Sequence, residues 1–203
     1  MKEGQNITYI HAPDKENFPD CDVAELVNVL NNVDSTRSGE RHRIALALED
    51  TSEASRIIEI DPAHGPIKHM CKLRDQGNTI IAKDGEKTVG MIGFQEYPRT
   101  PGGQRIFEIR RTTVLNDYRG GGIGRMLRES MIQRLEEIDS DAILLSRIHQ
   151  DNEINRNLAE STQFTKISYE ETRGLGIPED WIQENKTTGY EYFVFDPRNK
   201  KKV

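Results

Sequence analysis

Asp117-Tyr118-Arg119-Gly120-Gly121-Gly122-Ile123-Gly124-Arg125 links an apolar run ending at Leu115 to a periodic run. In the periodic run Ile123, Met126, Leu127, Met131, Leu135 and Ile138 recur mostly at spacings of three and four. The first run reads as a strand and the second as one face of a helix. The glycines between them open dihedrals closed to other residues and let backbone come close to a ligand. A helix start presents free N–H groups and the positive end of its dipole, which suits a phosphate. The charges point the same way. Arg119, Arg125 and Arg128 cluster at the start, and Glu136, Glu137 and Asp139 lie at the end, the reverse of what a helix prefers on its own. An anion at the N-terminus accounts for that inversion. Misplaced surface charge, which costs little, is the alternative.

No Gly-Lys-Ser/Thr follows, so this is not a P-loop, and the glycines do not give Gly-x-Gly-x-x-Gly before a helix. Arg119-x-x-Gly122-x-Gly124 instead resembles the acetyl-CoA loop of the GNAT superfamily of acyltransferases, written Gln/Arg-x-x-Gly-x-Gly/Ala. The run from Val114 to Gly124 is similar to that family's strand, loop and helix start almost position by position. The resemblance implies acetyl-CoA as co-substrate and no metal. Amides of Gly120, Gly121, Gly122, Ile123 and Gly124 would hold the pyrophosphate, with Arg119 and Arg125 flanking it. Backbone groups of Val114 and Leu115 would pair with the pantetheine arm, lodged between the strand ending at Leu115 and the one at Ala142 to Ile148. Asn152 would touch the same arm.

Composition bounds the class. The chain has 203 residues, 34% hydrophobic and 31% charged, with a net charge of −6. That length buries a core within one domain. An acidic chain argues against nucleic acid as partner and mildly favours a cationic substrate. Cys21 and Cys71 show no metal-ligand spacing and read as two free thiols in a reducing compartment. Met1-Lys2-Glu3-Gly4-Gln5 has no apolar run behind it, so no signal peptide is expected. No apolar stretch approaches the ~20 residues that span a bilayer. The expectation is a cytoplasmic protein with no membrane partner, monomer or dimer.

Along the chain, Asn6 to His11 reads as a strand, and Asp20 or Asp22 as the cap of a helix bearing Val23, Leu26, Val27, Leu30 and Val33. Asp34 to Glu40 is a loop, and Arg41 to Ile60 is read as helical. Ile67 to Arg74 is a short helix stopped by Gly77. Thr79 to Ala82 and Thr88 to Phe94 flank Asp84-Gly85 as a hairpin. Pro98 to Gly103 is a turn, and Arg105 to Leu115 is the strand feeding the glycine loop. After the long helix come a buried strand at Ala142 to Leu145 and a helix opened by Asn152 or Asn155. Strands at Phe164 to Tyr169 and Tyr190 to Phe195 enclose an acidic loop with Trp181.

That order resembles the whole GNAT fold. The expected class is α/β: a single domain over 1–203 with a mixed, mostly antiparallel central sheet flanked by helices. Residues 34–61 are expected to be an insertion and 199–203 a disordered tail. Family members often show an Asn near the start of the last helix, a Tyr seven residues on and a Gly-Phe pair ending at twelve. Asn152 and Phe164 keep that register, while Ala159 stands at the Tyr and Gln163 at the Gly. In many relatives that Tyr protonates the leaving thiolate, so the acid is open here.

The implied chemistry is attack of a neutral amine on a thioester, helped by positioning, carbonyl polarisation and proton removal. Glu108 lies eleven residues before Arg119, a spacing similar to that of the catalytic glutamate in histone-type GNAT enzymes. Arg110 shares its strand face and would weaken it as a base. Glu108 as mere partner of Arg110 is the competing reading. Glu96 with Tyr97, and His149, are the further candidates for base or acid. Glu170, Glu171, Glu179, Asp180 and Glu184 either attract an amine or form a solvated face. The expected function is N-acetyl transfer from acetyl-CoA to a primary amine of a small molecule or protein, by direct attack in a ternary complex. The alternative is a CoA-binding relative, weak or inactive, that works as a sensor or partner-binding module.

Overall fold

A computed structural model describes residues 6–11, 13–34 and 65–199 of the chain. Among the described residues, seven strands form one sheet in the order β1-β2-β3-β4-β5-β7-β6. They are β1 (Ile7–His11), β2 (Thr79–Asp84), β3 (Lys87–Tyr97), β4 (Ile106–Val114), β5 (Ile143–His149), β6 (Thr165–Ile167) and β7 (Tyr190–Phe195). The helices are α1 (Asp20–Asp34), α2 (Gly65–Asp75), α3 (Ile123–Ile138), α4 (Glu153–Ser161), α5 (Tyr169–Gly174) and α6 (Glu179–Thr188). The expected α/β class with a mixed, mostly antiparallel sheet is the one observed: β1 with β2, β2 with β3, β5 with β7 and β6 with β7 pair antiparallel, and β4 with β5 pairs parallel. The expected helical stretch at 41–60 and all of the expected insertion beyond Asp34 lie outside the described residues, as does the tail beyond Asn199.

The described residues fall into two compact units. The first joins the described residues up to Gly93 with Arg111–Leu127. Its α1 buries Val23, Ala24, Leu26 and Val27, and α2 buries Ile67, Met70 and Leu73, as an apolar stripe at helical spacing should. Asp20 and Asp22 lie inside the first turn of α1 rather than ahead of it as caps. Asp20 pairs with Arg74 at 2.6 Å and Lys15 at 2.8 Å, and Asp22 accepts from the Thr88 hydroxyl at 2.6 Å. Gly77 ends α2 with φ 73°, donating to the Arg74 carbonyl at 2.8 Å. The β2–β3 turn is Gly85-Glu86, one residue later than the sequence suggests, because Asp84 pairs with Lys87 across a bulge at Ala82/Lys83.

The second unit joins Phe94–Arg110 with the described residues from Arg128 to Asn199. Glu108 is in register with Leu145, and Arg147 with Tyr192. Period-two alternation therefore puts Ile106, Glu108, Leu145, Arg147 and Tyr192 on one sheet face. On that face Tyr97, Ile106, Ile143, Leu145 and Tyr192 pack with Ile177 and Ile182. The expected strand at 164–169 shortens to Thr165–Ile167, because Ser168 and Glu171 form a reciprocal capping box that starts α5. The expected acidic loop is two helices. Four of its acids, Glu170, Glu171, Glu179 and Asp180, lie in the first turns, where they complement the helix dipole, and Arg173 pairs with both Glu170 and Glu179. Through Arg173, Glu170 of α5 is tied to Glu179 of α6.

Candidate active site

The glycine loop belongs to the first unit. β4 ends at Val114, and a 3-10 turn at Asn116–Tyr118 leads into Arg119 and the glycines. The Tyr118 hydroxyl donates to Asp84 at 3.1 Å, and the Lys87 ammonium lies 5.7 Å from the Tyr118 ring, so the loop is moored to the β2–β3 hairpin. Gly90 of β3 lets α3 start close to the sheet: a Cβ there would sit 3.1 Å from both Leu127 Cδ1 and the Thr113 carbonyl. Gly120 and Gly122 have φ of 80° and 83°, and a Cβ on either would meet nothing within 4 Å. What demands glycine at these two positions is backbone conformation, and the space above them is open. The first bond closing the helix runs from the Met126 N–H to the Gly122 carbonyl at 3.0 Å. The amides of Ile123 and Gly124 therefore precede the helical ladder and have no partner within it. Free amides at a helix start are an arrangement suited to an anion.

The flanking residues divide. Arg119 is exposed, and its Nε donates to the Val114 carbonyl at 3.1 Å. Arg125 is exposed on the first turns of α3. Arg128 does not belong with them. It is fully buried, donates from Nη2 to Asn155 Oδ1 at 2.9 Å and lies 5.0 Å from the centre of the Phe164 ring. Burial lowers its pKa to about 10, so it stays charged at neutral pH. The inverted charge pattern of α3 thus has two surface arginines at its start, not three. The backbone of Leu115 is engaged: its N–H donates to the Val89 carbonyl at 2.9 Å and its carbonyl accepts from Tyr118 at 2.9 Å. Asn152 caps α4, its side chain accepting from the Asn155 N–H at 3.2 Å.

The second unit holds the acid–base candidates. Glu108 is 1% exposed. Its Oε1 accepts a short hydrogen bond from Arg147 Nε, and its Oε2 lies 2.9 Å from Arg110 Nη2. Arg147 Nη1 reaches Asn185 Oδ1 at 3.5 Å, and Asn185 Nδ2 donates to the Tyr192 hydroxyl and to the Trp181 carbonyl. Burial pushes the Tyr97 phenol well above its usual pKa, and the negative charge of Glu108 adds to it. Trp181, on α6, sets its ring edge-on to Tyr97 with centroids 5.3 Å apart. The Arg110 pairing is the one expected from a shared strand face. Arg147, Asn185 and Tyr192 were not singled out by sequence reasoning. The signal was there: a charge two residues after Leu145 in a buried strand, and an Asn three residues after Ile182 on an apolar helix face.

Glu96 is held by a two-point ion pair with Arg105, at 2.9 and 3.0 Å, which lowers its pKa. His149 Nδ1 accepts from the Asp151 N–H at 3.2 Å, and the ring stands edge-on to Tyr190 at 5.3 Å. Pairing between β4 and β5 runs only from Ile106↔Ile143 to Glu108↔Leu145. Ala159 is fully buried, and Gln163 adopts a left-handed φ of 67°. That conformation is the physical reason a glycine suits the position.

Residues 44–164, more than half of the chain, match the family model described as the acetyltransferase (GNAT) family. The chain belongs to the GNAT acetyltransferases. Solved structures share the GNAT fold at low identity. The yncA protein of Salmonella typhimurium, solved with its cofactor acetyl-CoA, is 14% identical with a TM-score of 0.58, and 98% of each chain is covered. An N-acetyltransferase of Staphylococcus aureus Mu50 is 14% identical with a TM-score of 0.57, covering 95% of this chain and 99% of its own. A chain of the NatC complex bound to Gag peptide and CoA is 15% identical with a TM-score of 0.56, covering 94% and 98%. No curated protein sequence matches the chain. Among the described residues of this GNAT chain, no helix is long and apolar enough to cross a membrane.

Proposed function

We propose that the protein transfers an acetyl group from acetyl-CoA to a primary amine by direct attack in a ternary complex. The observation that carries this reading is the cradle at Gly120–Gly124: two glycines at positive φ under open space, ahead of helix amides with no partner in the ladder. When bound there, acetyl-CoA supplies the activated thioester. Amides of Gly120, Gly121, Gly122, Ile123 and Gly124 hold its pyrophosphate, with Arg119 and Arg125 at the rim. Asn152 fixes the start of α4 beside the end of β5.

Proton removal is the step for which the residues offer least. Glu108 is buried and ion-paired, Glu96 is held by Arg105, and His149 spends Nδ1 on backbone. Each Glu108 oxygen already lies against a guanidinium nitrogen, Arg147 Nε or Arg110 Nη2. Glu108 accordingly acts as a positioning residue that aligns Arg147 and Arg110, and water accepts the amine proton. The two unpaired thiols, Cys21 and Cys71, support a reducing compartment, the cytoplasm. The engaged acid–base groups, together with Ala159 at the usual Tyr position, also favour a second reading: a CoA-binding relative with little turnover. Thiol release from acetyl-CoA over a panel of amines separates the two. Turnover above the no-enzyme rate supports transfer. Saturable acetyl-CoA binding with no turnover on any amine supports the second reading.

A further inference from the structure

The charge around Glu108 is opposite in sign to the chain's net charge of −6. Arg110 and Arg147 flank one buried carboxylate. Burial disfavours the charge on Arg147, and the negative charge of Glu108 outweighs it. The phenols of Tyr97 and Tyr192 also act on Arg147. Burial raises the pKa of both phenols, so they are neutral at pH 7. Glu108, Arg110 and Arg147 together sum to one positive charge. It is also outward-facing: the Arg110 and Arg147 side chains are 27% and 25% exposed, while that of Glu108 is 1% exposed.

The donors outnumber the acceptors. Two guanidinium groups carry ten N–H bonds, and one carboxylate offers about four lone-pair sites. Arg110 Nε is buried with no hydrogen-bond partner. Glu108 Oε2 sits 2.9 Å from Arg110 Nη2 without an aligned hydrogen bond. A guanidinium with donors left over by its carboxylate partner, beside a second guanidinium, is an arrangement that takes a further carboxylate. A polyamine or a lysine side chain would be repelled there.

We infer that the acceptor amine itself carries a carboxylate, which Arg110 and Arg147 bind, so that the acceptor is a small amino-acid-like molecule. This deepens the proposed function and rests on it.

The test uses product-like ligands, so that binding is read without turnover. The full chain, saturated with CoA, is titrated calorimetrically with the N-acetyl derivatives of alanine, methionine, phenylalanine and glutamate, each beside its uncharged α-carboxamide. At least one acid should bind about ten- to a hundredfold tighter than its carboxamide, the range for a hydrogen bond to a charged group. Arg110→Gln, with the fold checked by circular dichroism, should bring that preference within about threefold. Arg147→Lys keeps the charge that Glu108 needs and removes the fork, and should weaken the preference in the same sense. Equal binding of acid and carboxamide, no binding of any pair, or a preference that survives both variants would overturn the inference. Acetyl-CoA titration and thiol release on the same sample keep the readings apart. Lost turnover with an intact acid preference removes the transferase, and turnover on amines without a carboxylate preference removes only the acceptor class.

Discussion

Glu108→Gln separates a base from a positioning residue. The substitution keeps the shape and removes the charge. It deletes the charge-assisted acceptor of Arg147 Nε and the counter-charge of Arg110. Breaking a fully buried pair costs about 3–5 kcal/mol. Here both arginines are about a quarter exposed, so solvent relieves part of that, and about 2 kcal/mol remains, close to one hydrogen bond to a charged group. For a chain of this size that lowers Tm by about 4–8 °C. Turnover in thiol release should change by less than about tenfold, since a positioned general base would contribute about 10²–10⁴-fold. The acidic limb of the rate profile should not move. An unchanged Tm with a hundredfold or greater fall in turnover at neutral pH would refute this reasoning and make the carboxylate the base.

Asn155→Ala removes the hydrogen bond that Arg128 donates in the core and should lower Tm, as loss of about 1.5–3 kcal/mol requires. Arg128→Met combined with Asn155→Ala replaces the polar pair with apolar volume and should restore Tm to the wild-type value or above. Gln163→Gly relieves the left-handed φ of 67° at an exposed position and should raise Tm by about 2–4 °C, for about 1 kcal/mol of strain. Ala159→Tyr overfills a fully buried position and should lower stability by about 1–3 kcal/mol in a denaturant melt. For Asp20, burial raises the carboxyl pKa, but hydrogen bonds from Lys15 and Arg74 outweigh it and hold it below the usual 3.8. Its stabilisation is complete above that unfolded value and is lost as pH falls through the lower folded one. Asp20→Asn should therefore flatten the loss of Tm below about pH 4, the unperturbed carboxylate range.

The glycine loop was legible because its reasons are local. A positive φ needs glycine, a helix start leaves amides over, and both follow from consecutive residues. The hairpin, β4 and α3 were legible for the same reason, through turn chemistry and period. Arg128 was misread because sequence position alone put it with Arg119 and Arg125. Its burial depends on Asn155 and Phe164, 27 and 36 residues away. The helices α5 and α6 were hidden by their charge: acids that suggested a solvated loop are first-turn residues and partners of Arg173. The Glu108 site was half legible. Arg110 shares its strand and follows from alternation, whereas Arg147 and Asn185 arrive through strand register and α6 packing, which no short-range pattern encodes.

Calorimetric titration of the full chain with acetyl-CoA, beside Gly122→Val, tests the central claim most directly. Valine at φ 83° is strained and places a branched side chain over the cradle. The account predicts saturable one-site binding by the wild type and loss of that binding in the folded variant. No binding by the wild type, or equal binding by the folded variant, would contradict it.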